Sequence, residues 1–192
     1  MSGAEELLVM ENFSMVEPGV YRSAFPRSKN VAFLARLGLK SVVSLVPEDY
    51  PDKLLEHYKR LGIRLIPMGI DGNKWPFKAI DMPKFREALA ALLRPEHRPC
   101  LVHCNKGKHR TGCLIASLRL VRGWGLSPAF AEYLTFSGAR GRLEDQIFIE
   151  VLYLKCVCEC VHACCMCVRF GYEYYAVVFA TKYPSTNPYP CP

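Results

Sequence analysis

The chain has 192 residues, of which 51% are hydrophobic and 22% charged, and its formal net charge is +7. This length fits one domain with a short remainder, and the composition excludes a disordered, collagen-like or coiled-coil protein. No uncharged apolar run reaches about 18 residues, so we expect no membrane span. Residues 1–10 contain two glutamates and no basic segment ahead of an apolar one, so we expect no signal peptide. The expected location is therefore the cytoplasm, with access to the nucleus by diffusion.

Strand and helix patterns alternate along the first 150 residues. Short apolar or β-branched runs predict strands at residues 20–23, 41–46, 63–68 and 100–103. Helical spacing and capping residues predict helices at residues 29–37, 51–61, 81–93, 111–121, 127–136 and 143–152. This order predicts one α/β domain over residues 12–150, with a central, mostly parallel sheet flanked by helices. Residues 1–11 are interpreted as an N-terminal extension.

The ten cysteines are unevenly placed, because three precede residue 150 and seven lie from Cys156 onward. The disulfide framework of a secreted protein would spread them through the fold, so residues 151–192 are predicted to be a Cys-rich and then Pro-rich tail of different character. Within this tail only Cys164 and Cys167 have ordinary zinc spacing, so we predict no metal site. Acylated cysteines and an altered reading of the gene are alternative explanations. The abrupt change in composition favours an altered reading over metal binding.

The loop at residues 103–112 carries the chemistry, since it lies between the fourth predicted strand and the following helix. Open α/β sheets bind ligands at the carboxyl ends of their strands. The main-chain N–H groups of such a loop, together with the positive end of the next helix, can surround a phosphate. Gly107 permits backbone geometry that a side chain would forbid. The sequence therefore predicts a phosphate site here.

Four side chains of this loop have predicted roles. Cys104 is the predicted nucleophile, because the helix end and Arg110 both favour its thiolate form. Arg110 is predicted to bind the oxyanion through two nitrogens, and Thr111 to donate to the sulfur when it leaves. His103 is predicted to orient the loop rather than to act as a base. A buried cysteine beside a surface basic cluster is the alternative, and a nucleotide-binding loop does not fit because no Lys-Ser or Lys-Thr pair follows the glycine.

The H-C-x5-R-T-G element resembles the signature of cysteine-dependent protein tyrosine and dual-specificity phosphatases. The longer string through Cys113 is similar to plant and fungal atypical dual-specificity phosphatases, and further matches lie at residues 12–14, 20–23, 25–27, 39–41, 72–74 and 145–150. The resemblance covers about residues 12–150. It implies the cysteine phosphatase fold and hydrolysis of the 5-diphosphate of inositol pyrophosphates through a phosphocysteine, without a metal or other cofactor. Activity on phosphoproteins is also attributed to such enzymes.

The charges favour a small, densely anionic substrate. Residues 151–192 carry three basic and two acidic side chains, so +6 of the net charge lies on residues 1–150. A phosphotyrosine enzyme needs an apolar slot for a ring, whereas several cations follow the nucleophile here. The predicted substrate-binding residues are Asn73, Lys74, Asn105, Lys106, Gly107, Lys108, His109 and Arg110. The alternatives are a phosphoprotein substrate and a phosphate-binding protein without turnover; nucleic acid is not expected, because the sequence offers no aromatic platform for RNA.

The general acid is the least defined of the predicted residues. Residues 75–77 superficially resemble the W-P-D loop that carries the acid in related phosphatases, but Phe77 stands at the position of the acid. The family that this chain resembles usually has Glu at the position of Trp75, so the chain departs from the family pattern there. Asp71 is the nearest candidate acid, while Asp81 is predicted to cap a helix. A phosphoanhydride has a good leaving group and needs little protonation, which favours a pyrophosphate over an alkyl phosphate.

Overall fold

A computed structural model describes residues 7–72 and 80–164 of the chain. Five strands of the described chain form a sheet in the order β1-β2-β5-β3-β4, with bounds β1 Ser14–Glu17, β2 Val20–Ser23, β3 Ser41–Ser44, β4 Arg64–Pro67 and β5 Cys100–His103. The β1–β2 pair is antiparallel and the other three pairs are parallel. The predicted α/β fold with a mostly parallel sheet is therefore confirmed. The sequence analysis missed β1, an edge strand of which only Val16 is buried.

The helices are α1 Val31–Arg36, α2 Asp52–Leu61, α3 Met82–Leu93, α4 His109–Val121, α5 Leu126–Ser137 and α6 Leu143–Cys164. Short 3-10 turns lie at residues 28–30, 95–97 and 138–140. The predicted caps are confirmed: the Asp81 side chain accepts a hydrogen bond from Lys84 N (3.1 Å), and Gly62 ends α2 with a φ of 67°. The helix after the loop begins at His109, two residues before its predicted start.

The sheet separates two hydrophobic cores because successive side chains of a strand point to opposite faces. Val43 and Val102 belong to the larger core, which packs against α3, α4, α5 and α6. Val42 and Leu101 belong to the smaller core, which packs against α1 and α2. Helices thus cover both faces, and the central strands are buried throughout. This arrangement leaves the carboxyl ends of β2, β5 and β3 as the edge at which a site can form.

The packed chain extends beyond both predicted domain boundaries. Met10 is buried in the smaller core, and Glu11 O accepts a hydrogen bond from Ala24 N at 2.7 Å. The helix α6 passes residue 150 without interruption, and Leu152 belongs to the larger core. The composition changes near residue 150, but the apolar contacts of the fold continue across both boundaries.

Within the described ranges, no helix combines the length and the apolar character that crossing a membrane would require.

Candidate active site

The candidate site lies where three parallel strands end together. Ser23 of β2 and Ser44 of β3 both pair in register with His103, the last residue of β5. Cys104 therefore leaves the sheet from its central strand, and the chain turns into α4 at His109. The positive end of α4 faces the intervening loop, which favours a bound anion there.

The carbonyl groups of the loop are held from its outer side. Those of residues 105–107 accept hydrogen bonds, respectively, from Phe25 N (3.2 Å), Asn12 Nδ2 (2.8 Å) and Arg22 Nη2 (2.8 Å). In a trans peptide the C=O and the following N–H point in opposite directions. The N–H groups that follow these carbonyls are thus turned toward the inner side of the loop. Their direction suits an oxyanion of a phosphoryl group.

Gly107 is required for this loop conformation. Its φ is +64°, in the left-handed region that glycine tolerates best. A Cβ atom at this position would lie 2.5 Å from the carbonyl carbon and oxygen of Ser23 and 2.7 Å from Ala24 N. Because these are main-chain atoms of a paired strand end, they cannot move aside easily. The loop can pack against β2 only without a side chain at residue 107.

Cys104 lines a cavity of about 420 Å³, which we name the pocket. Its described lining consists of Gly72, Cys104, Asn105, Lys106, His109, Arg110, Arg140 and Arg142. The structure therefore brings together Cys104 and four of the predicted substrate-binding side chains. The sequence analysis missed Arg140 and Arg142, which lie just before α6. Two arginines among glycines at residues 138–142 were the available clue, but sequence spacing alone does not place them beside a loop 30 residues away.

The guanidinium of Arg110 is held in place by main-chain oxygens. Its Nη1 donates to Leu45 O (2.9 Å) and to Ile70 O (3.0 Å), which follow β3 and β4. No described residue accepts a hydrogen bond from Nε or Nη2. These two nitrogens form one edge of the guanidinium, which is the geometry that binds two oxygens of a phosphate at once.

The other predicted site residues occupy different positions. The Thr111 side chain is fully buried, and its Oγ1 has no hydrogen-bond partner among the described residues. The Nζ atom of Lys108 lies 3.4 Å from Ser137 O, so this lysine reaches toward the end of α5 and does not line the pocket. Asp71 directly precedes Gly72 of the pocket lining. Residues 73–75, which include the predicted contacts Asn73 and Lys74 and the departure Trp75, lie outside the described residues.

His103 is buried beneath the loop in an aromatic environment. Its Nε2 is 2.5 Å from the Tyr50 hydroxyl, and its Nδ1 is 3.4 Å from Cys104 O. Burial lowers the pKa of His103 to about 3, so the imidazole is neutral at physiological pH. Tyr50 OH also lies 3.4 Å from Tyr58 OH, and burial raises the pKa of Tyr58 to about 12. A neutral, fully buried histidine in this position can hold the loop but cannot reach a substrate.

His109 belongs to a second network at the start of α6. Its Nδ1 lies 3.0 Å from Asp145 Oδ2, and Tyr133 OH donates to the same oxygen at 2.8 Å. The main-chain N–H of Arg142 donates in turn to Tyr133 OH at 3.1 Å. The network thus connects the phosphate loop to the segment that carries the two pocket arginines. Tyr133 was not predicted, and Asp145 entered the sequence analysis only as part of a family resemblance.

Among the cysteine side chains that the structure describes, Cys104, Cys100 and Cys113 are free. Burial raises the pKa of Cys100 to about 11, and burial followed by the charge of Asp145 raises the pKa of Cys113. Both thiols are therefore protonated at neutral pH and unsuited to attack. No group of three or more His, Cys, Asp or Glu side chains that could hold a metal occurs among the side chains that the structure describes, which end at residue 154. The Cys-rich sequence from Cys156 lies outside them.

Comparisons with known proteins agree with this geometry. A family model for the tyrosine phosphatase family matches residues 7–160. Inositol diphosphatase SIW14 of Saccharomyces cerevisiae is 46% identical over 148 residues, which cover 77% of this chain and 53% of the yeast protein. Inositol diphosphatase DSP1 of Oryza sativa subsp. japonica is 46% identical over 140 residues, which cover 73% of this chain and 63% of the rice protein. The chain thus spans between half and two thirds of the length of these two relatives.

The fold is also found in a solved structure. The catalytic core of Siw14 superimposes with a TM-score of 0.74 and 43% sequence identity, over 82% of this chain and 94% of that core. The similarity therefore includes nearly all of the solved core, in addition to the loop that first suggested the chemistry.

Proposed function

Because the chain belongs to the plant and fungal atypical dual-specificity group of the tyrosine phosphatase family, we propose that it is a cysteine phosphatase that hydrolyses the 5-diphosphate of inositol pyrophosphates. One observation supports this substrate above others. Five cationic or ionisable basic side chains share the pocket with the nucleophile: Lys106, His109, Arg110, Arg140 and Arg142. None of the described lining residues is acidic, and none is Phe, Tyr or Trp. A pocket of this kind suits many phosphates better than an aromatic ring.

The proposed reaction has two displacements at the terminal phosphorus. In the first, the Cys104 thiolate attacks that phosphorus, an S–P bond forms, and the P–O bond to the inner phosphate breaks. The inner phosphate of the inositol leaves with the electron pair. In the second, water attacks the phosphocysteine, and its proton passes to the solvent or to inorganic phosphate. The S–P bond breaks and the thiolate is restored.

The surrounding groups stabilise charge in both steps. Arg110 presents Nε and Nη2 to the transferred phosphoryl group, and the inner N–H groups of the loop bind its equatorial oxygens. Thr111 Oγ1, which is buried and unpartnered among the described residues, is proposed to donate to the sulfur when it leaves. His103 is proposed to fix the loop from beneath through Cys104 O. The nucleophile and the positive charge come from side chains, so these steps require no metal.

Protonation of the leaving oxygen is assigned to Asp71 as a proposal. Its neighbour Gly72 lines the pocket, and this proximity along the chain supports the assignment. The inner phosphate of a diphosphate leaves readily, so this contribution is expected to be small. Asn73 and Lys74 stay predicted substrate contacts, and the cytoplasm stays the predicted location.

The experiment is a comparison of kcat/KM for 5-diphosphoinositol pentakisphosphate, a phosphotyrosine peptide and p-nitrophenyl phosphate, each in EDTA. The wild-type protein is expected to prefer the inositol substrate. A charge-assisted hydrogen bond contributes about 1.5–3 kcal/mol, and about 1.4 kcal/mol corresponds to tenfold. Solvent screening reduces this contribution for exposed side chains. The double variant Arg140→Ala with Arg142→Ala should therefore lower kcat/KM for the inositol substrate by about 10- to 100-fold. For p-nitrophenyl phosphate the loss should stay below about threefold, since that substrate carries one phosphate.

Arg36→Ala serves as the control, because Arg36 is exposed on α1 and does not line the pocket. It should leave all three rates unchanged. Preference of the wild-type protein for the phosphopeptide would contradict the proposed substrate and favour a phosphoprotein phosphatase. Equal losses on the inositol and aryl substrates in the double variant would contradict the role of the two arginines.

A further inference from the structure

Arg22 is a buried cation that the reaction described above does not use. It lies on β2 and its side chain is 0% exposed. Nη2 donates to Gly107 O at 2.8 Å, and the guanidinium carbon lies 3.7 Å from the centre of the Phe136 ring. Nε and Nη1 are buried and have no hydrogen-bond partner among the described residues. Burial of a guanidinium with so few partners disfavours folding, so stability alone does not account for this residue.

The buried guanidinium also acts on the nucleophile by its charge. Burial lowers the pKa of Arg22 to about 10, which leaves it charged at neutral pH. The negative charges of Glu132 and of the Cys104 thiolate partly offset that lowering of the Arg22 pKa. An interaction between two charges is reciprocal, so the positive charge of Arg22 also acts on Cys104. A cation that does not line the pocket therefore contacts the loop at Gly107 O.

Asn12 holds the neighbouring peptide group from the surface. Its Nδ2 donates to Lys106 O at 2.8 Å, 94 residues away in sequence. Its backbone has a φ of 52°, which asparagine tolerates better than most residues. Asn12 precedes β1 and Arg22 lies on β2, so both belong to one antiparallel hairpin.

This hairpin is fixed relative to the loop by the sheet. β2 pairs with β5 in parallel, with Arg22 opposite Val102 and Ser23 opposite His103. The donors on the hairpin are thereby held at a constant distance from the chain that leads into Cys104. Because the hairpin is paired with β5, it can orient the peptide groups of the loop before any ligand binds.

We propose that Arg22 and Asn12 are positioning residues for the phosphate loop, which hold the carbonyls of Gly107 and Lys106 outward so that the following N–H groups face the phosphoryl oxygens. Arg22 also supplies positive charge that acts on Cys104. The inference rests on the proposed function in that the ligand of the loop is a phosphoryl group. Neither residue touches the substrate, so each acts through the loop.

The test measures the affinity for inorganic tungstate, an oxyanion probe, by calorimetry, together with kcat and KM for p-nitrophenyl phosphate and the melting temperature. Arg22→Met keeps the volume and removes the charge and the donor. It should weaken tungstate binding and lower kcat by about tenfold or more. Arg22→Lys restores the charge and one donor, so it should recover part of both losses. Asn12→Gly keeps the backbone conformation and should weaken tungstate binding by about three- to tenfold.

Arg98→Met is the matched control for loss of a partly buried arginine. Arg98 also donates to a main-chain carbonyl, Leu92 O (2.7 Å), but it lies at the opposite end of β5 from Cys104. This variant should lower the melting temperature and leave tungstate affinity and kcat unchanged. If it reduces tungstate affinity as much as Arg22→Met does, the effect is general destabilisation and the inference is overturned.

If Arg22→Met does not fold, the positioning role is tested with Asn12→Gly alone. A folded Asn12→Gly protein with wild-type tungstate affinity and kcat overturns the inference. The proposed function fails in a different way, since wild-type protein would then neither bind tungstate nor release phosphate. If the wild-type protein turns over substrate and the variants keep its tungstate affinity and kcat, only the positioning roles of Arg22 and Asn12 are overturned.

Discussion

His109 Nδ1 lies 3.0 Å from Asp145 Oδ2, so an imidazole that lines the pocket is paired with a carboxylate on α6. Asp145 is buried, and its second partner is the Tyr133 hydroxyl. The contact between Nδ1 and the carboxylate fixes the orientation of the His109 ring. The pairing therefore holds this imidazole in one position in the lining of the pocket where a phosphate would lie.

Asp145→Asn is expected to raise KM for 5-diphosphoinositol pentakisphosphate by about three- to tenfold. The variant keeps the size of the side chain and can still accept from Tyr133, but it replaces the carboxylate that pairs with His109 Nδ1 by a neutral amide, which weakens that contact. Steady-state kinetics would measure the effect. Glu150→Gln, an exposed carboxylate on the same helix, is the control and should change nothing. An unchanged KM in Asp145→Asn would show that the pairing is only structural.

Gly107→Ala and Gly62→Ala form a matched pair at positive φ. Both glycines have nearly the same φ, +64° and +67°, but a Cβ at residue 62 meets nothing within 4 Å. Gly62→Ala should therefore lose only about 1 kcal/mol of stability and retain activity. Gly107→Ala must also displace the loop from Ser23 and should lower kcat by at least about tenfold. Urea unfolding and phosphate release measure the two quantities; equal activity in both variants would contradict the close packing.

Lys106 and Lys108 are expected to differ, although both lie among the four residues, 105–108, that separate Cys104 from α4. Lys106 lines the pocket, whereas Lys108 Nζ lies near Ser137 O. Lys106→Ala should raise KM for the inositol substrate by about tenfold, and Lys108→Ala by less than about threefold. Kinetics on both substrates, with p-nitrophenyl phosphate as the singly phosphorylated reference, provide the comparison. A larger effect at Lys108 would show that its side chain turns into the pocket when substrate binds.

His103 should make the protein less stable in acid. Its pKa is about 3 in the folded chain and about 6.5 when exposed, because burial penalises the imidazolium. Between these values the unfolded chain binds more protons, so stability falls as pH falls from about 6.5 toward 3, by up to roughly 1 kcal/mol per pH unit. His103→Gln removes this contribution. Urea unfolding at several pH values should give it a shallower slope than wild type, and equal slopes would contradict the buried neutral state.

Local patterns predicted the fold and the strand and helix that flank the loop at residues 103–112. The Asp81 cap, the Gly62 helix end and the strand before Cys104 each depend on neighbouring residues, so they can be recognised from sequence. The family that the loop at residues 103–112 resembled is confirmed by the comparisons. A functional loop is recognisable when the chemistry requires several residue types at fixed spacing.

Features that depend on distant contacts were not predictable. Arg140 joins the pocket only because α5 and α6 pack against α4, and Arg22 contacts Gly107 across 85 residues. Lys108 was grouped with Lys106 because spacing shows proximity to Cys104 but not the direction of a side chain. The edge strand β1 was missed because it has only one buried residue, so its sequence shows little alternation of apolar and polar side chains.

The most direct test of the central claim is the rate of phosphate release from 5-diphosphoinositol pentakisphosphate in EDTA, compared between wild type and Cys104→Ser. Cys100→Ala is the control, since burial raises the pKa of that thiol to about 11 and keeps it protonated. We predict rapid release by wild type and by the control, and none above background by Cys104→Ser. Release by Cys104→Ser at the wild-type rate would contradict nucleophilic catalysis by Cys104. Absence of release by wild type, with turnover of a phosphotyrosine peptide, would contradict the substrate.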